Sequence, residues 1–302
     1  MATSRKYLDP ETIARLHGLE LRARGVVAGF ISGMHRSAYR GYSVEFAEHR
    51  QYAPGDDIRH LDWRIFGRAD KFFIKQFEEE TNLRCNVLLD ISRSMGFAGR
   101  GRSKLEYGCT LTACLAYLLT QQHDAAGLVT FDAAVRARLP CRTGRAHLAD
   151  VLHTLEGLAP SGQTDVKVLF HRLAEELQHR STVVLISDLL TDIEDVVSGI
   201  GHICLAGHEL IVLHVLDDAE WNFPYSENIL FEGIEDDLRL LTDPQSLRRN
   251  YLAAVERFVT RVRATCLRHG ADYVAVNTAD APAVVLGGYL GARTQRAIRG
   301  RA

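Results

Sequence analysis

An aspartate followed at two-residue intervals by two serines, Asp90-Ile-Ser92-Arg-Ser94, closes the apolar run Cys85-Asn-Val-Leu-Leu-Asp90. An extended acid followed by alternate serines puts its oxygen side chains on one side of a short loop. Hard oxygen donors of this kind suit a small divalent cation that keeps some of its waters. Alone the spacing is weak, because serines are common turn residues after strands. Two further segments strengthen it. Pro160-Ser-Gly-Gln-Thr164-Asp165 sets a hydroxyl immediately before an expected helix, and Thr182-Val-Val-Leu-Ile-Ser-Asp188 is a second apolar run that ends in an acid. Taken singly, Thr164 reads as a helix N-cap and Asp188 as a strand-end turn residue. Taken in order, each at the end of an element, Asp90, Ser92, Ser94, Thr164 and Asp188 form a candidate metal site.

The elements that must position these residues are legible from residue 84 onward. Unbroken apolar runs at 85–90, 126–131, 182–188, 209–216 and 272–276 alternate with helical patterns at 104–123, 145–158, 165–179, 193–205 and 245–269, with a short helix behind the last run. Continuous apolar strands separated by helices predict a three-layer α/β fold, a mostly parallel, doubly wound sheet covered on both faces. Residues 135–139 follow closely on Phe131 and make the natural antiparallel edge. In such a sheet ligands bind at the carboxyl ends of strands, which is where the acids and hydroxyls fall. Residues 1–80 differ in texture. A helix is expected over 9–24, and strands at Val44-Glu-Phe-Ala-Glu and Phe72-Phe-Ile-Lys-Gln-Phe flank an aromatic and charged stretch. This divides the chain into an extension, 1–80, packed on an α/β domain, 81–302, that ends in a basic tail.

Asp90-x-Ser92-x-Ser94, Thr164 and Asp188, with the flanks Leu89-Asp-Ile-Ser-Arg-Ser-Met95 and Gly127-Leu-Val-Thr-Phe131, resemble an intact metal-ion-dependent adhesion site (MIDAS) of the von Willebrand factor type A fold. The resemblance implies Mg²⁺, or another divalent cation such as Mn²⁺, bound directly by Ser92 and Ser94. It implies that Asp90 and Asp188 act mainly through waters and Thr164 directly or through water, with one position left for a partner's acidic residue. Upstream, Gly41-Tyr-Ser-Val-Glu-Phe-Ala-Glu-His-Arg50-Gln-Tyr52-Ala-Pro54-Gly-Asp-Asp57-Ile-Arg59-His-Leu-Asp62-Trp63-Arg64, continued by Lys75-Gln-Phe77-Glu78-Glu79, resembles the signature of the domain of unknown function fifty-eight family. Members of that family resemble adaptors linked with AAA+ ATPases of the MoxR type. The resemblance therefore implies an Mg²⁺-dependent protein-interaction module, an adaptor or chaperone-like partner of such an ATPase with a possible client protein, and not an enzyme. Many relatives carry membrane spans ahead of this region, so this chain resembles a short soluble form. Asp57, Arg59, Asp62 and Arg64 read equally as an internal ion-pair network or as a docking surface.

Other classes fit the chain poorly. At 302 residues, 46% hydrophobic and 25% charged, it has the composition of a soluble globular protein. No run approaches the ~18 apolar residues of a membrane span, and the N-terminus has no export signal, so membrane insertion is not expected and a cytoplasmic location is. A net charge of −2 does not mark a nucleic-acid binder. The basic residues are overwhelmingly Arg, and Arg293, Arg296, Arg299 and Arg301 are expected in a solvated or frayed end. Six cysteines without a C-x-x-C read as reduced core residues, and His214, inside Ile211-Val-Leu-His-Val-Leu216, reads as a satisfied core histidine. Gly96-Phe-Ala-Gly-Arg-Gly101-Arg102-Ser103 has the glycine spacing of a phosphate loop but Arg102 at its lysine position, so its glycines are assigned to loop flexibility. The competing class is a metal-dependent hydrolase of phosphatase type, with an acid at a central strand end beside Mg²⁺. Against it, position 92 is Ser rather than a second carboxylate, and no general base or lysine is evident nearby. Neither oligomeric state nor client is specified by these patterns.

Overall fold

The computed structural model describes residues 44–51, 72–79, 83–163, 170, 180–227, 229–234 and 239–299. Contacts divide the chain into two compact units, one over 30–82 and one that contains 83–302. In the first, β1 (Val44–Gln51) and β2 (Phe73–Glu79) pair antiparallel, from Val44 opposite Glu79 to Gln51 opposite Phe73, with an irregularity between Phe46 and Glu48. The expected helix over 9–24, and Asp57, Arg59, Asp62 and Arg64, lie outside the described residues.

The second unit is built on β3 (Arg84–Asp90), followed by α1 (Lys104–Gln121), β4 (Ala125–Phe131), β5 (Val135–Arg142) and α2 (Arg145–Glu156). The chain continues through β6 (Thr182–Ser187), α3 (Ile193–Leu205), β7 (Glu209–Leu216) and the short α4 (Asp218–Asn222). A small hairpin of β8 (Ile229–Glu232) and β9 (Arg239–Thr242) then leads to α5 (Pro244–His269), β10 (Asp272–Asn277) and α6 (Pro282–Arg299). Six strands form one sheet in the order β10-β7-β6-β3-β4-β5. All neighbours are parallel except the edge pair β4–β5. The protein is a mixed, mostly parallel α/β fold.

Alternation decides which face each strand residue serves. Val87 and Leu89, Leu128, Val184 and Ile186, and Leu213 and Val215 enter a core with Leu111 and Leu118 of α1, Leu155 of α2 and Leu286 of α6. Leu88, Val129, Phe131, Val183, Leu185 and Val212 enter a second core with Val196 and Ile200 of α3 and Val262 of α5. Both faces are apolar because both are covered, which is why these strands read as unbroken hydrophobic runs. Each fully buried Leu, Ile or Val contributes about 1.5–3 kcal/mol, so this two-sided core outweighs anything on the surface.

Helix ends follow local chemistry. Ser103 and Glu106 make a reciprocal capping box at the start of α1. α5 starts with Asp243 as cap and Pro244 in the first turn, and stops at Gly270 with φ +71°. The last helix is longer than expected at 18 residues, and its end is not a solvated basic tail throughout. Arg293 is only 16% exposed and is paired with Glu209 and with Asp272 at 3.3 Å. Two carboxylates at the starts of β7 and β10 draw it in, a contact that composition at the chain end does not reveal. Among the described residues no helix is long and apolar enough to cross a membrane.

Candidate metal centre

The chain leaves β3 for β4 on one side through α1, and later runs from β6 to β7 on the other side through α3. The crossovers diverge between β3 and β6, so a crevice opens at the carboxyl ends of that pair. Asp90 and Asp188 stand there. Leu89 is opposite Ile186 in the parallel register, which brings Asp90 beside Ser187 and puts Asp188 one residue further out.

The loop after β3 is wound by its own polar groups. Ser92 N–H donates to Asp90 Oδ1 at 2.9 Å, and the Ser92 and Ser94 Oγ atoms are 3.0 Å apart. Met95 N–H closes a single 3₁₀ turn on Ser92 O. Ser187 Oγ donates to Asp90 Oδ2 at 2.6 Å, tying the two strand ends together. Asp90, Ser92 and Asp188 are fully buried and Ser94 nearly so. The loop that leads to Thr164 is pinned to the same place. Ser161 N–H donates to Ile91 O at 2.7 Å, and Arg93 N–H to Gly162 O at 3.1 Å. Thr164 itself lies outside the described residues. Of the five candidate ligands, the structure brings Asp90, Ser92, Ser94 and Asp188 to one crevice.

Two buried carboxylates at one crevice repel each other. Burial, reinforced by Asp188, pushes the Asp90 carboxyl up to about 7 despite the hydrogen bonds from Ser187 and Ser92. The counter-charge at hand is Lys104, the first residue of α1 and fully buried. Its Nζ lies 2.7 Å from Asp188 Oδ2 and 2.7 Å from Glu220 Oε1. The hydrogen bond goes to Glu220. Asp188 is its second partner, an ion pair at the same distance, while Asp188 Oδ1 accepts Leu190 N–H at 3.2 Å. Burial alone would push Lys104 down, but Asp188 and Glu220 outweigh it and raise it.

These residues fit a hard divalent cation. The donors are carboxylate and hydroxyl oxygens, and two carboxylates are gathered in a buried crevice with a single lysine that is shared with Glu220. The serines matter to that fit, because among the described residues no group of three or more His, Cys, Asp or Glu side chains could hold a metal ion. Once bound, the cation would offer a Lewis-acid position to an incoming oxygen.

A family model described as "Protein of unknown function DUF58" matches residues 48–261. The chain belongs to that family. Uncharacterized protein Rv1480 of Mycobacterium tuberculosis (strain H37Rv) and Uncharacterized protein Mb1516 of Mycobacterium bovis are each 27% identical to it over 274 residues, covering 89% of this chain and 86% of theirs. Among solved structures, conserved hypothetical protein BatB from Bacteroides thetaiotaomicron is 16% identical with a TM-score of 0.48, covering 72% of this chain and 99% of BatB. The SpRpn10 VWA domain is 12% identical with a TM-score of 0.38, covering 71% and 95%. At these scores the α/β assignment rests on the strand order itself.

Within this DUF58 protein several functional neighbours have no simple sequence signature. Ser187 and Lys104 touch the candidate ligands and Glu220 touches Lys104, and the expectation of no lysine nearby is overturned by Lys104. One signal existed. A lysine at the first position of a helix faces the positive end of the helix dipole, so a buried one there requires carboxylates from elsewhere. Asp132, just past β4, is a further buried strand-end acid, held by Arg136 Nε at 2.8 Å, Ala134 N–H and Ser161 Oγ. Burial would raise its carboxyl, but these donors hold it below the usual range.

The glycines of the phosphate-loop lookalike serve close approach rather than flexibility alone. A Cβ on Gly99 would lie 2.4 Å from Asp217 Oδ1, and one on Gly96 2.9 Å from Pro160 Cγ. His214 is a satisfied core residue, with Nδ1 2.8 Å from Tyr273 Oη and Nε2 2.9 Å from Asp188 O. Burial lowers it to about 4, which keeps it neutral. All six cysteines are free, four of them buried.

Proposed function

We propose that this DUF58 protein is an Mg²⁺-dependent protein-interaction module, working in the cytoplasm as an adaptor or chaperone-like partner of an AAA+ ATPase of the MoxR type. The observation that carries the reading is the gathering of Asp90, Ser92, Ser94 and Asp188 at the β3–β6 switch point. The resemblance of these positions, with Thr164, to a metal-ion-dependent adhesion site supplies the mode of action: Ser92 and Ser94 hold the cation, the two aspartates balance it, and a carboxylate of the partner completes its coordination. The upstream signature supplies the class of partner.

The test is capture of partners from native lysate by tagged full-length protein, in Mg²⁺ and in chelator, with identification by mass spectrometry. An AAA+ ATPase retained in Mg²⁺, and lost both in chelator and with Asp90→Ala, is the expected result. An ATPase retained under all three conditions overturns cation-dependent docking.

The structure favours a second reading in one respect only: Lys104 lies beside Asp188, where phosphatase chemistry would use a cation. Its full burial and its hydrogen bond to Glu220 argue against a role on substrate. Phosphoester turnover by wild-type protein that disappears in Asp90→Ala would favour the hydrolase.

A further inference from the structure

We propose that Glu220 is a positioning residue that sets the cation affinity of the site, by sharing Lys104 with Asp188 and so offsetting its charge. The inference rests on the metal reading of Asp90 and Asp188 and deepens it.

The argument is one of charge and hydrogen bonding. Asp90 and Asp188 together carry the charge that a dication neutralises. Lys104 stands 2.7 Å from Asp188 Oδ2, fully buried, and a lysine left there alone would cancel half of that charge. Low-dielectric surroundings make such an effect large. Glu220 prevents it. Its Oε1 accepts the Lys104 hydrogen bond at 2.7 Å, and the two charges offset each other. Asp188 thus shares Lys104 with Glu220 at equal distance instead of being neutralised by it alone.

Glu220 is itself held in place. Its Oε2 accepts Asp217 N–H at 2.7 Å within the capping box that starts α4. Asp217 is anchored in turn by Ala219 N–H at 2.9 Å and Thr278 Oγ1 at 2.9 Å, and Gly99 leaves room for its carboxylate. The geometry thus makes α4, on the far side of Lys104 from the crevice, part of the cation site without contributing a ligand. Outer residues that orient metal ligands characteristically change affinity by about 10–100-fold when removed.

The experiment measures Mn²⁺ binding to the full chain by electron paramagnetic resonance and by calorimetry, with near-ultraviolet circular dichroism on every variant. Wild type binds Mn²⁺ and Asp90→Asn does not. Glu220→Gln weakens binding about 10–100-fold, and adding Lys104→Met to Glu220→Gln restores it, because the unbalanced cation has gone. Unchanged near-ultraviolet circular dichroism in Glu220→Gln separates this from a role confined to folding, which Lys104→Met would also relieve by removing a stranded buried charge. Equal affinity of wild type and Glu220→Gln, or a folded double variant that stays as weak as Glu220→Gln, overturns the proposal while leaving the metal reading intact. A wild-type chain that binds neither Mn²⁺ nor Mg²⁺ overturns the metal reading and this inference with it.

Discussion

The two ends of the central sheet handle buried charge differently. At the amino ends of β7 and β10, acids meet dedicated partners. Glu209 and Asp272 share Arg293, Asp272 also accepts from Tyr289 Oη, and Thr182 Oγ1 donates to Glu209. At the carboxyl ends, Asp90 and Asp188 are closer to the middle of the sheet, fully buried, and served by one lysine, which Asp188 shares with Glu220. The first arrangement is complete and has no evident use beyond locking α6 to β7 and β10. The second is left short of positive charge, and an unbalanced buried charge is costly to maintain unless a ligand relieves it.

The strongest way to break this contrast is Asp90→Asn. It preserves the side chain's shape while removing one of two ligand charges, and should abolish measurable Mg²⁺ or Mn²⁺ binding in calorimetry while leaving a folded protein. Cation binding that persists would mean the crevice is not the site.

Gly162→Ala sharpens the same end. Gly162 has φ +65°, and a Cβ there would lie 2.6 Å from Asp132 Oδ2. Thermal unfolding should show a loss of about 1–3 kcal/mol, with cation binding weakened because this loop is pinned to Arg93.

At the other end, Arg293→Ala should cost about 2 kcal/mol in denaturant unfolding, since it strands two partly buried carboxylates, yet leave cation affinity unchanged. A change in affinity would show that the two ends are coupled.

The smallest effect concerns Asp124, which stands just before β4 at the amino end. Burial pushes its carboxyl up to about 6, against the hydrogen bond from Leu83 N–H. Its folded pKa lies above its unfolded value, so the folded state binds more protons between about 4 and 6, and stability falls as pH rises through that window. Asp124→Asn should therefore raise stability by on the order of 1 kcal/mol at pH 8, a gain that fades as pH drops from 6 toward 4 in thermal melts. A gain independent of pH would remove Asp124's ionisation as the cause.

Much of this was readable residue by residue. β3, β6 and β7 announce themselves as apolar runs because both sheet faces are covered, and α3 and β7 fall at their expected bounds. Asp90, Ser92 and Ser94 are legible because their geometry is local: a strand end and one tight turn contain all three. Asp188 was legible as an acid at a strand end, but its place beside Asp90 depends on β6 pairing with β3, two segments 97 residues apart. Lys104 and Glu220, 116 residues apart, leave no periodic trace at all.

Short-range chemistry thus set the strands, the caps and the Asp90–Ser94 turn, since alternation, hydrogen bonding within a loop and helix-end electrostatics act over a few residues. Strand order, the switch point and the sharing of one lysine between two carboxylates arose from long-range pairing and burial. Those depend on which surfaces cover each other once the chain is folded, and no pattern confined to one segment encodes them.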